Sequence, residues 1–166
     1  MLILATSLKD LRFAQLMEVY ADSNRERAEQ WPDLPPMFAL EQAEQEHRQY
    51  LREVFFSTPG AVCAVWEEAG TYISALRLEP YRDGLLLAGL ETASQYRRRG
   101  YAGLLIRQVQ EVLARQGTVK LYSHVRKDNT ASLKTHDSCG FRKISDRACY
   151  LDGSVDSRCS TYCFEG

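Results

Sequence analysis

A basic turn that contains glycine is the segment of this sequence best suited to bind a ligand. The stretch LETASQYRRRGYAGLL joins an apolar, strand-like run to a helical pattern that starts after Gly100. The first N–H groups of a helix lack partners within it, and the helix dipole adds partial positive charge there. The neighbouring side chains are small or basic, namely Ala102, Gly103, Arg97, Arg98 and Arg99. These features predict an anion site built from backbone amides, the alternative being an arginine-rich surface turn before a core helix.

A second polar segment follows about thirty residues later. In the stretch NTASLKTHDSCGF, Asn129, Ser132 and His136 are spaced i, i+3 and i+7, which places them on one face of a helix. If Asn129 faces a bound ligand, His136 faces it too, and a histidine with a pKa of about 6.5 can donate a proton there. The alternative is that His136 packs under the turn at Gly140 and Phe141 and transfers no proton.

Glu91 lies near the end of the otherwise apolar run LLLAGLET. An unpaired carboxylate is costly in apolar surroundings, and desolvation raises its pKa toward the range useful for a general base. Glu91 is therefore a candidate base. In the alternative interpretation it faces the open mouth of a cleft or pairs with an arginine.

The remaining histidines and the cysteines give no sign of a metal site. His47 lies in the apolar stripe of a predicted helix and His124 in a predicted strand, and both are expected to be structural. The sequence has no HExxH or CxxC motif, so no metal is expected. Its five cysteines are an odd number spread along the chain, which argues against a secreted disulfide framework and predicts a reducing, cytoplasmic location.

The composition is that of an ordinary globular protein. The chain has 166 residues, which fits one domain over residues 1–166, and 45% of them are hydrophobic. A formal net charge of -1 gives no general attraction to nucleic acid or to anionic lipid. No run approaches the roughly 20 apolar residues that span a membrane, and the N-terminus does not have the pattern of a signal peptide.

The apolar periodicity predicts a mixed α/β domain in the order β-α-α-β-β-β-α-β-α-β-β. Ser7 and Asp10 start the first predicted helix, which ends at SNRERAEQ, and the second starts at about Phe38 after a proline-rich loop. The apolar stripe of the second helix comprises Leu40, Ala43, His47, Tyr50, Leu51 and Val54. The later helices are predicted at about Tyr101–Gln116, closed by Gly117, and at Asn129–Ser138. The predicted strands are LILA at the N-terminus, AVCAVWEE, TYISALRLEP, LLLAGLET, VKLYSHV and GFRKIS, with roughly ACYL and CSTYCF completing the sheet.

Together the two polar segments resemble the signature of the GNAT superfamily of N-acetyltransferases. The run Arg97-Arg98-Arg99-Gly100-Tyr101-Ala102 matches its Q/R-x-x-G-x-G/A pattern, and the stretch from Asn129 to Phe141 is similar to its second motif. The order of elements agrees with that family over nearly the whole chain. The resemblance implies a mixed, mostly antiparallel sheet of about seven strands, flanked by about four helices. It also implies that the fourth and fifth strands splay apart, with acetyl-CoA in the gap.

The resemblance further implies roles for individual residues. The backbone amides from Arg98 to Gly103 bind the CoA pyrophosphate, and the end of the preceding strand pairs with the pantetheine arm. The implied cofactor-binding residues are Leu90, Glu91, Thr92, Arg98, Arg99, Gly100, Tyr101, Ala102, Gly103, Asn129 and Ser132. Several family members place a glutamate base on the strand of Glu91, and His136 stands where many have a tyrosine, which makes it the candidate general acid. Thr92-Ala93-Ser94 departs from the Val-x-Pro that often precedes the turn.

The predicted function is therefore direct transfer of an acetyl group from acetyl-CoA to a primary amine of a small molecule or peptide. No cysteine lies beside a base in the sequence pattern, so an acetyl-enzyme intermediate is not expected. The alternative is a non-catalytic acyl-CoA-binding module. Nucleic-acid binding through the RRRG turn is disfavoured by the net charge.

The expected partner is an amine-bearing substrate. In the GNAT family the acceptor site is built largely from the half of the chain that precedes the cofactor motifs. That half contains several acidic residues that would favour a cationic acceptor: Glu41, Glu44, Glu46, Glu67, Glu68 and Glu79. The last strand, CSTYCFE, could be exchanged or paired between two copies, which would give a homodimer.

Overall fold

A mixed β-sheet runs through the centre of the fold. The computed structural model describes residues 1–117 and 120–166. Its strands are β1 (Leu2–Ala5), β2 (Val62–Glu68), β3 (Thr71–Tyr81), β4 (Gly84–Thr92), β5 (Lys120–Arg126), β6 (Arg142–Ser145), β7 (Ala148–Cys149), β8 (Val155–Asp156) and β9 (Cys159–Glu165). Seven of them form one sheet in the order β1-β2-β3-β4-β5-β9-β6, while β7 and β8 form a small hairpin. In the main sheet β4 and β5 are parallel and the other neighbours are antiparallel, which agrees with the predicted mixed, mostly antiparallel sheet. The strand predicted at ACYL does not complete this sheet, because it pairs with β8 instead.

Helices cover both faces of this sheet. They are α1 (Phe13–Val19), α2 (Ala21–Ala28), α3 (Pro36–Tyr50), α4 (Tyr101–Arg115) and α5 (Thr130–Ser138). The helix predicted over Tyr101–Gln116 is α4, and Gly117 after it has the left-handed φ of +82° expected of a closing glycine. The predicted strand VKLYSHV is β5, except that its first residue, Val119, lies outside the described residues.

The prediction for residues 7–30 was partly wrong. Ser7 and Asp10 do form a capping box, but it starts a single 3-10 turn, and the first α-helix begins at Phe13. The segment SNRERAEQ, predicted to be outside a helix, is largely α2. The fully buried side chain of α2 is that of Asn24, so the helix has no apolar stripe that periodicity could detect.

The second predicted helix has a different buried face at its end. Helix α3 begins at Pro36, where a proline is tolerated because a first-turn N–H has no partner in the helix. It continues into a π turn over Leu51–Phe55, which adds one residue to the turn. Phe55 is therefore fully buried, and Val54, predicted in the stripe, is 56% exposed.

Two hydrophobic cores lie on opposite faces of the sheet. On one face, α1 and the π turn after α3 cover the strands, with Leu16, Val19, Tyr20, Leu51 and Phe55 packed over Cys63, Val65 and Ala75. On the other face, α4 covers Ala64, Leu76, Leu78, Leu87 and Leu121 with Leu105, Ile106, Val109 and Leu113. The central strands are thus apolar on both faces, as the run LLLAGLET predicted.

The last strand is not available for pairing with a second copy. Strand β9 is hydrogen-bonded on one side to β5 and on the other to β6, so its backbone is used within the sheet. Edge-to-edge pairing through CSTYCFE would need a free strand edge, and the edge strands of the main sheet are β1 and β6. An exchange of this strand between two copies stays a prediction. A homodimer through another surface stays a prediction.

Candidate functional site

A bulge in β4 shapes the first wall of the site. Ala75 of β3 is opposite Glu91, but Arg77 is opposite Ala88, so β4 contains one extra residue at Gly89 and Leu90. Gly89 has a φ of +57°, and a Cβ there would lie 3.1 Å from the Arg77 guanidinium carbon. The Tyr20 hydroxyl donates a hydrogen bond of 2.7 Å to the Gly89 carbonyl. The extra residue bends β4 at this point.

Strands β4 and β5 separate just beyond that bend. They are paired from Leu85 to Leu87 and from Leu121 to Ser123. Both strands continue and are described in full, to Thr92 and Arg126, but no further ladder pair joins them. A cavity of about 190 Å³ lies between the separated segments of β4 and β5. The predicted splay of the fourth and fifth strands is therefore confirmed.

The bulge gives a direct test of this geometry. Gly89→Ala is expected to lower the free energy of unfolding by about 1–3 kcal/mol, because alanine is strained at a left-handed φ and its Cβ crowds Arg77. Gly70→Ala is the matched control, since Gly70 has a φ of +80° with open space around the missing Cβ. Urea unfolding should show a smaller loss for the control. Equal losses would mean that the contact with Arg77 does not restrain the bulge.

The basic turn ends in an uncapped helix N-terminus. Gly100 is the N-cap of α4, with a φ of +81° and no side-chain hydrogen bond to the helix. The first bond into the helix runs from the Leu104 N–H to the Gly100 carbonyl, at 2.9 Å. The N–H groups of the first turn therefore have no partner within the helix. A cavity of about 460 Å³ opens in front of them.

Ten of the eleven residues predicted to bind the cofactor line this cavity. They are Leu90, Glu91, Thr92, Arg98, Gly100, Tyr101, Ala102, Gly103, Asn129 and Ser132. Arg99 does not, because its guanidinium lies over the Tyr96 ring, 5.8 Å from the ring centroid. The cavity also borders Tyr96, Ala131 and Thr135, which the sequence analysis did not single out. Thr135 lies one helical turn after Ala131, so the spacing of α5 could have indicated this pair.

The side chain of Tyr101 is directed away from the anion site. Its hydroxyl donates to the Glu68 carboxylate at 2.8 Å, which also accepts from the Trp66 indole at 3.0 Å. The same hydrogen bond raises the pKa of Tyr101. These contacts fix the start of α4 against β2. What Tyr101 offers the cavity is its backbone N–H.

Glu91 is placed where the cofactor cavity meets α2. Its side chain is 14% exposed. The Ser23 hydroxyl donates to one carboxylate oxygen at 2.5 Å, and an Arg97 nitrogen lies 3.6 Å from the other. Burial raises the pKa of Glu91, and the contacts with Ser23 and Arg97 partly offset that rise. The contact with Ser23 was missed because α2 itself was not predicted.

His136 has the geometry of the packing alternative. The ring is 2% exposed and lies edge-on to Phe141, with centroids 5.0 Å apart. Its Nδ1 is 2.8 Å from the Ser132 carbonyl, which can only accept, so Nδ1 carries the proton. Burial lowers the pKa of His136, and the ring is neutral near pH 7 with no proton on Nε2. His136 also borders the cavity between β4 and β5, and its Nε2 has no hydrogen-bond partner. The burial and the proton on Nδ1 favour packing over the general-acid role, which stays a prediction.

We therefore expect His136→Phe to reduce kcat by no more than about threefold, since proton transfer in other enzymes contributes about 100-fold or more. His136→Gln tests the same point while keeping a donor for the Ser132 carbonyl. Initial rates at saturating acetyl-CoA measure kcat, and thermal unfolding reports the packing cost. A fall of 100-fold in kcat with an unchanged dissociation constant for CoA would restore the acid assignment.

The other histidines hold structural positions. The Nδ1 of His47 lies 3.0 Å from the Asn24 side-chain oxygen, and burial lowers the pKa of His47 to about 4. His124 lies 3.0 Å from the Thr161 hydroxyl and packs against Tyr81 and Tyr150. Within residues 1–117 and 120–166, no group of His, Cys, Asp or Glu side chains is arranged to hold a metal ion. No helix in the described part of the chain is long and apolar enough to cross a membrane.

The sequence and the fold can be compared with known proteins on this basis. The family profile described as the acetyltransferase (GNAT) family matches residues 14–141, which include both polar motifs and most of the elements around them. The chain belongs to the GNAT acetyltransferase family. This membership makes it an acyltransferase and confirms the resemblance drawn from the two motifs. Comparison with curated proteins gives no match.

Solved structures share this GNAT fold at low sequence identity. The PaiA N-acetyltransferase from Thermoplasma acidophilum, solved with coenzyme A, is 14% identical with a TM-score of 0.68, over 100% of this chain and 99% of that chain. A ribosomal-protein-alanine N-acetyltransferase from Brucella melitensis is 19% identical with a TM-score of 0.63, over 100% and 99%. A GNAT family acetyltransferase from Elizabethkingia anophelis, solved with acetyl-CoA bound, is 15% identical with a TM-score of 0.56, over 74% and 82%. These likenesses concern the fold.

Proposed function

We propose that this protein transfers an acetyl group directly from acetyl-CoA to a primary amine of a small molecule or peptide. One observation carries the proposal. The uncapped N-terminus of α4, the separated ends of β4 and β5, and the partly buried Glu91 carboxylate lie around two adjoining cavities, both of which border Leu90, Asn129 and Ser132. An anion site, a gap between the strands and a base are the parts that this reaction needs.

The residues around the larger cavity fit coenzyme A. The free N–H groups at the start of α4 would bind the diphosphate, and Gly100 leaves open space where a Cβ would stand. The unpaired edge of β4 over Leu90–Thr92 would hydrogen-bond the pantetheine arm as an added strand does. Bound acetyl-CoA supplies the acetyl group as an activated thioester.

Glu91 would accept the proton that the acceptor amine must lose. Its carboxylate is held by Ser23 and Arg97 at the edge of the cavity, and burial raises its pKa toward the working range of a base. A protonated Glu91 cannot act, so the rate should rise with pH through the raised pKa of this group. The Ser23 hydroxyl links this carboxylate to α2 through the hydrogen bond that it donates.

The surroundings of Ser23 support a cationic acceptor. A cavity of about 490 Å³ beside Ser23 is bordered by Glu26, in α2, and by Glu29, which follows the last residue of that helix. The acidic residues predicted for this role have other positions: Glu67 pairs with Arg12, and Glu68 with Tyr101. Glu46 lies 3.9 Å from Arg27, which also borders the cavity. Glu26 and Glu29 thus add two carboxylates near the base to the acidic residues that the sequence offered.

The proposed location is the cytoplasm, and the partners do not include nucleic acid or membrane. The five cysteines, all in described residues, are free thiols, which suits a reducing compartment. In the RRRG turn, Arg97 pairs with Asp22 and Arg99 lies over the Tyr96 ring, so two of the three arginines are engaged within the protein. Salt-sensitive binding of DNA or RNA would contradict this part of the proposal.

Turnover with a panel of primary amines tests the function against the acyl-CoA-binding alternative. The release of free CoA thiol is measured with acetyl-CoA and each amine, and calorimetry measures CoA binding separately. Amine-dependent thiol release together with a stoichiometric acetylated product supports the transferase. CoA binding without turnover on any amine would favour the binding module, and no heat from CoA would exclude both.

A further inference from the structure

The three consecutive arginines of the basic turn have three different environments. Arg98 has a left-handed φ of +59° and borders the cofactor cavity. Arg99 lies over the Tyr96 ring. Arg97 borders the cavity as well, but its guanidinium is turned toward β4 and α2. The three arginines, although identical in type and consecutive in the chain, therefore differ in what their side chains contact.

All three nitrogens of the Arg97 guanidinium have partners. Its Nε donates to the Thr92 carbonyl at 2.9 Å. One terminal nitrogen lies 2.5 Å from an oxygen of Asp22, and the other lies 3.6 Å from an oxygen of Glu91. The planar guanidinium can reach three acceptors at fixed angles, which a lysine cannot do. These contacts direct the Arg97 guanidinium toward Thr92, Asp22 and Glu91, while its remaining N–H groups face solvent on a side chain that is 42% exposed.

Helix α2 completes the arrangement from the other side. Ser23, next to Asp22 in the chain, donates to the second oxygen of Glu91 at 2.5 Å. Hydrogen bonds from Arg25 and Arg97 lower the pKa of Asp22, so its charge is retained and continues to attract Arg97. The charged or titratable groups around Glu91 are therefore Arg97, Asp22 and the buried Tyr20 hydroxyl. Of these three groups, Arg97 is the one that carries a positive charge.

We propose that Arg97 is a positioning residue that orients Glu91 and joins the cofactor turn to α2, and that it does not bind the diphosphate. This rests on the proposed function, in which Glu91 is the base. Arg97 lies directly before the amides of the anion site. One conformation of the basic turn would thus present the amides to the diphosphate and also hold the Glu91 carboxylate in place.

The sharpest test is the titration of Glu91 itself. Carboxyl ¹³C NMR follows Glu91 in the wild type, Arg97→Gln and Arg99→Gln, and Glu91→Gln identifies the signal by its loss. Arg97→Gln should move the midpoint upward by about one pH unit, because a cation 3.6 Å away is removed. Arg99→Gln should leave it unchanged. Asp22→Asn should move it downward, since Asp22 raises the pKa of Glu91.

Binding and kinetics supply a second readout. Arg97→Gln should reduce kcat by about tenfold or more and shift the acid limb of its pH profile upward, with the dissociation constant for CoA within about threefold of wild type. Arg98→Gln, as the neighbour that borders the cavity, should weaken CoA instead. Arg97→Lys should restore the acid limb in part, because it retains the charge but not the three-way contact.

Two results would overturn the proposal. One is a Glu91 midpoint that is unchanged in Arg97→Gln, and the other is a loss of CoA affinity in Arg97→Gln as large as in Arg98→Gln. NMR titration and calorimetry need no turnover, so they decide the role of Arg97 even if no amine is acetylated. Thermal unfolding checks that each variant is folded, and Asp22→Asn provides the opposite shift if Arg97→Gln is unstable.

Discussion

Glu91→Gln lowers kcat by about 100- to 10,000-fold and leaves the dissociation constant for CoA within about threefold. The substitution removes the group that accepts the amine proton but keeps the shape of the side chain and the β4 backbone. Stopped-time assays of thiol release measure kcat, and calorimetry measures CoA binding. Glu111→Gln is the matched control, because Glu111 lies on the exposed side of α4, where it pairs with Arg115, and does not border the cofactor cavity.

The pH dependence separates this effect from unfolding. The wild-type rate should rise with pH through the raised pKa of Glu91, and that limb should be absent from Glu91→Gln. A raised pKa also means that the folded chain holds the proton more tightly than the unfolded chain. Stability from this group is therefore present at low pH and lost as pH rises through the folded pKa, a loss that the glutamine variant avoids. A variant that retained the wild-type acid limb would show that Glu91 is not the base.

Gly100→Val weakens CoA binding by about 10- to 100-fold. Gly100 has a φ of +81°, a conformation that costs a β-branched residue about 1–3 kcal/mol, and relief of that strain turns the first amides of α4 out of position. Gly153→Val is the matched control, because Gly153 has a φ of +87° and open space around the missing Cβ, but lies in the loop between β7 and β8.

Both glycine variants are expected to lose similar stability in urea, and Gly100→Val alone should lose affinity in calorimetry. This pairing isolates the anion site from the general strain of a valine at a left-handed position. If both variants kept wild-type affinity, the amides at the start of α4 would not be the diphosphate site. If both variants lost affinity for CoA, the loss would result from impaired folding and not from a change at the anion site.

Much of the fold could be predicted because it depends on local patterns. The helix start after Gly100, the closing glycine at Gly117 and the apolar strand LLLAGLET all involve neighbouring residues. Helix α2 could not be predicted, since its buried side chain is the polar Asn24 and its stability comes from packing. The end of α3 was misjudged because a π turn changes the helical period.

The same distinction between local sequence patterns and tertiary packing applies to the residues of the site. The sequence by itself determined where the helix start proposed as the anion site lies, because a glycine N-cap and the free amides of a helix start depend on consecutive residues. Tertiary structure alone decided that Ser23 contacts Glu91 across 68 positions, that Arg97 and Arg99 have different partners, and that His136 is buried. Burial and charge set these protonation states, and both depend on which distant segments pack together.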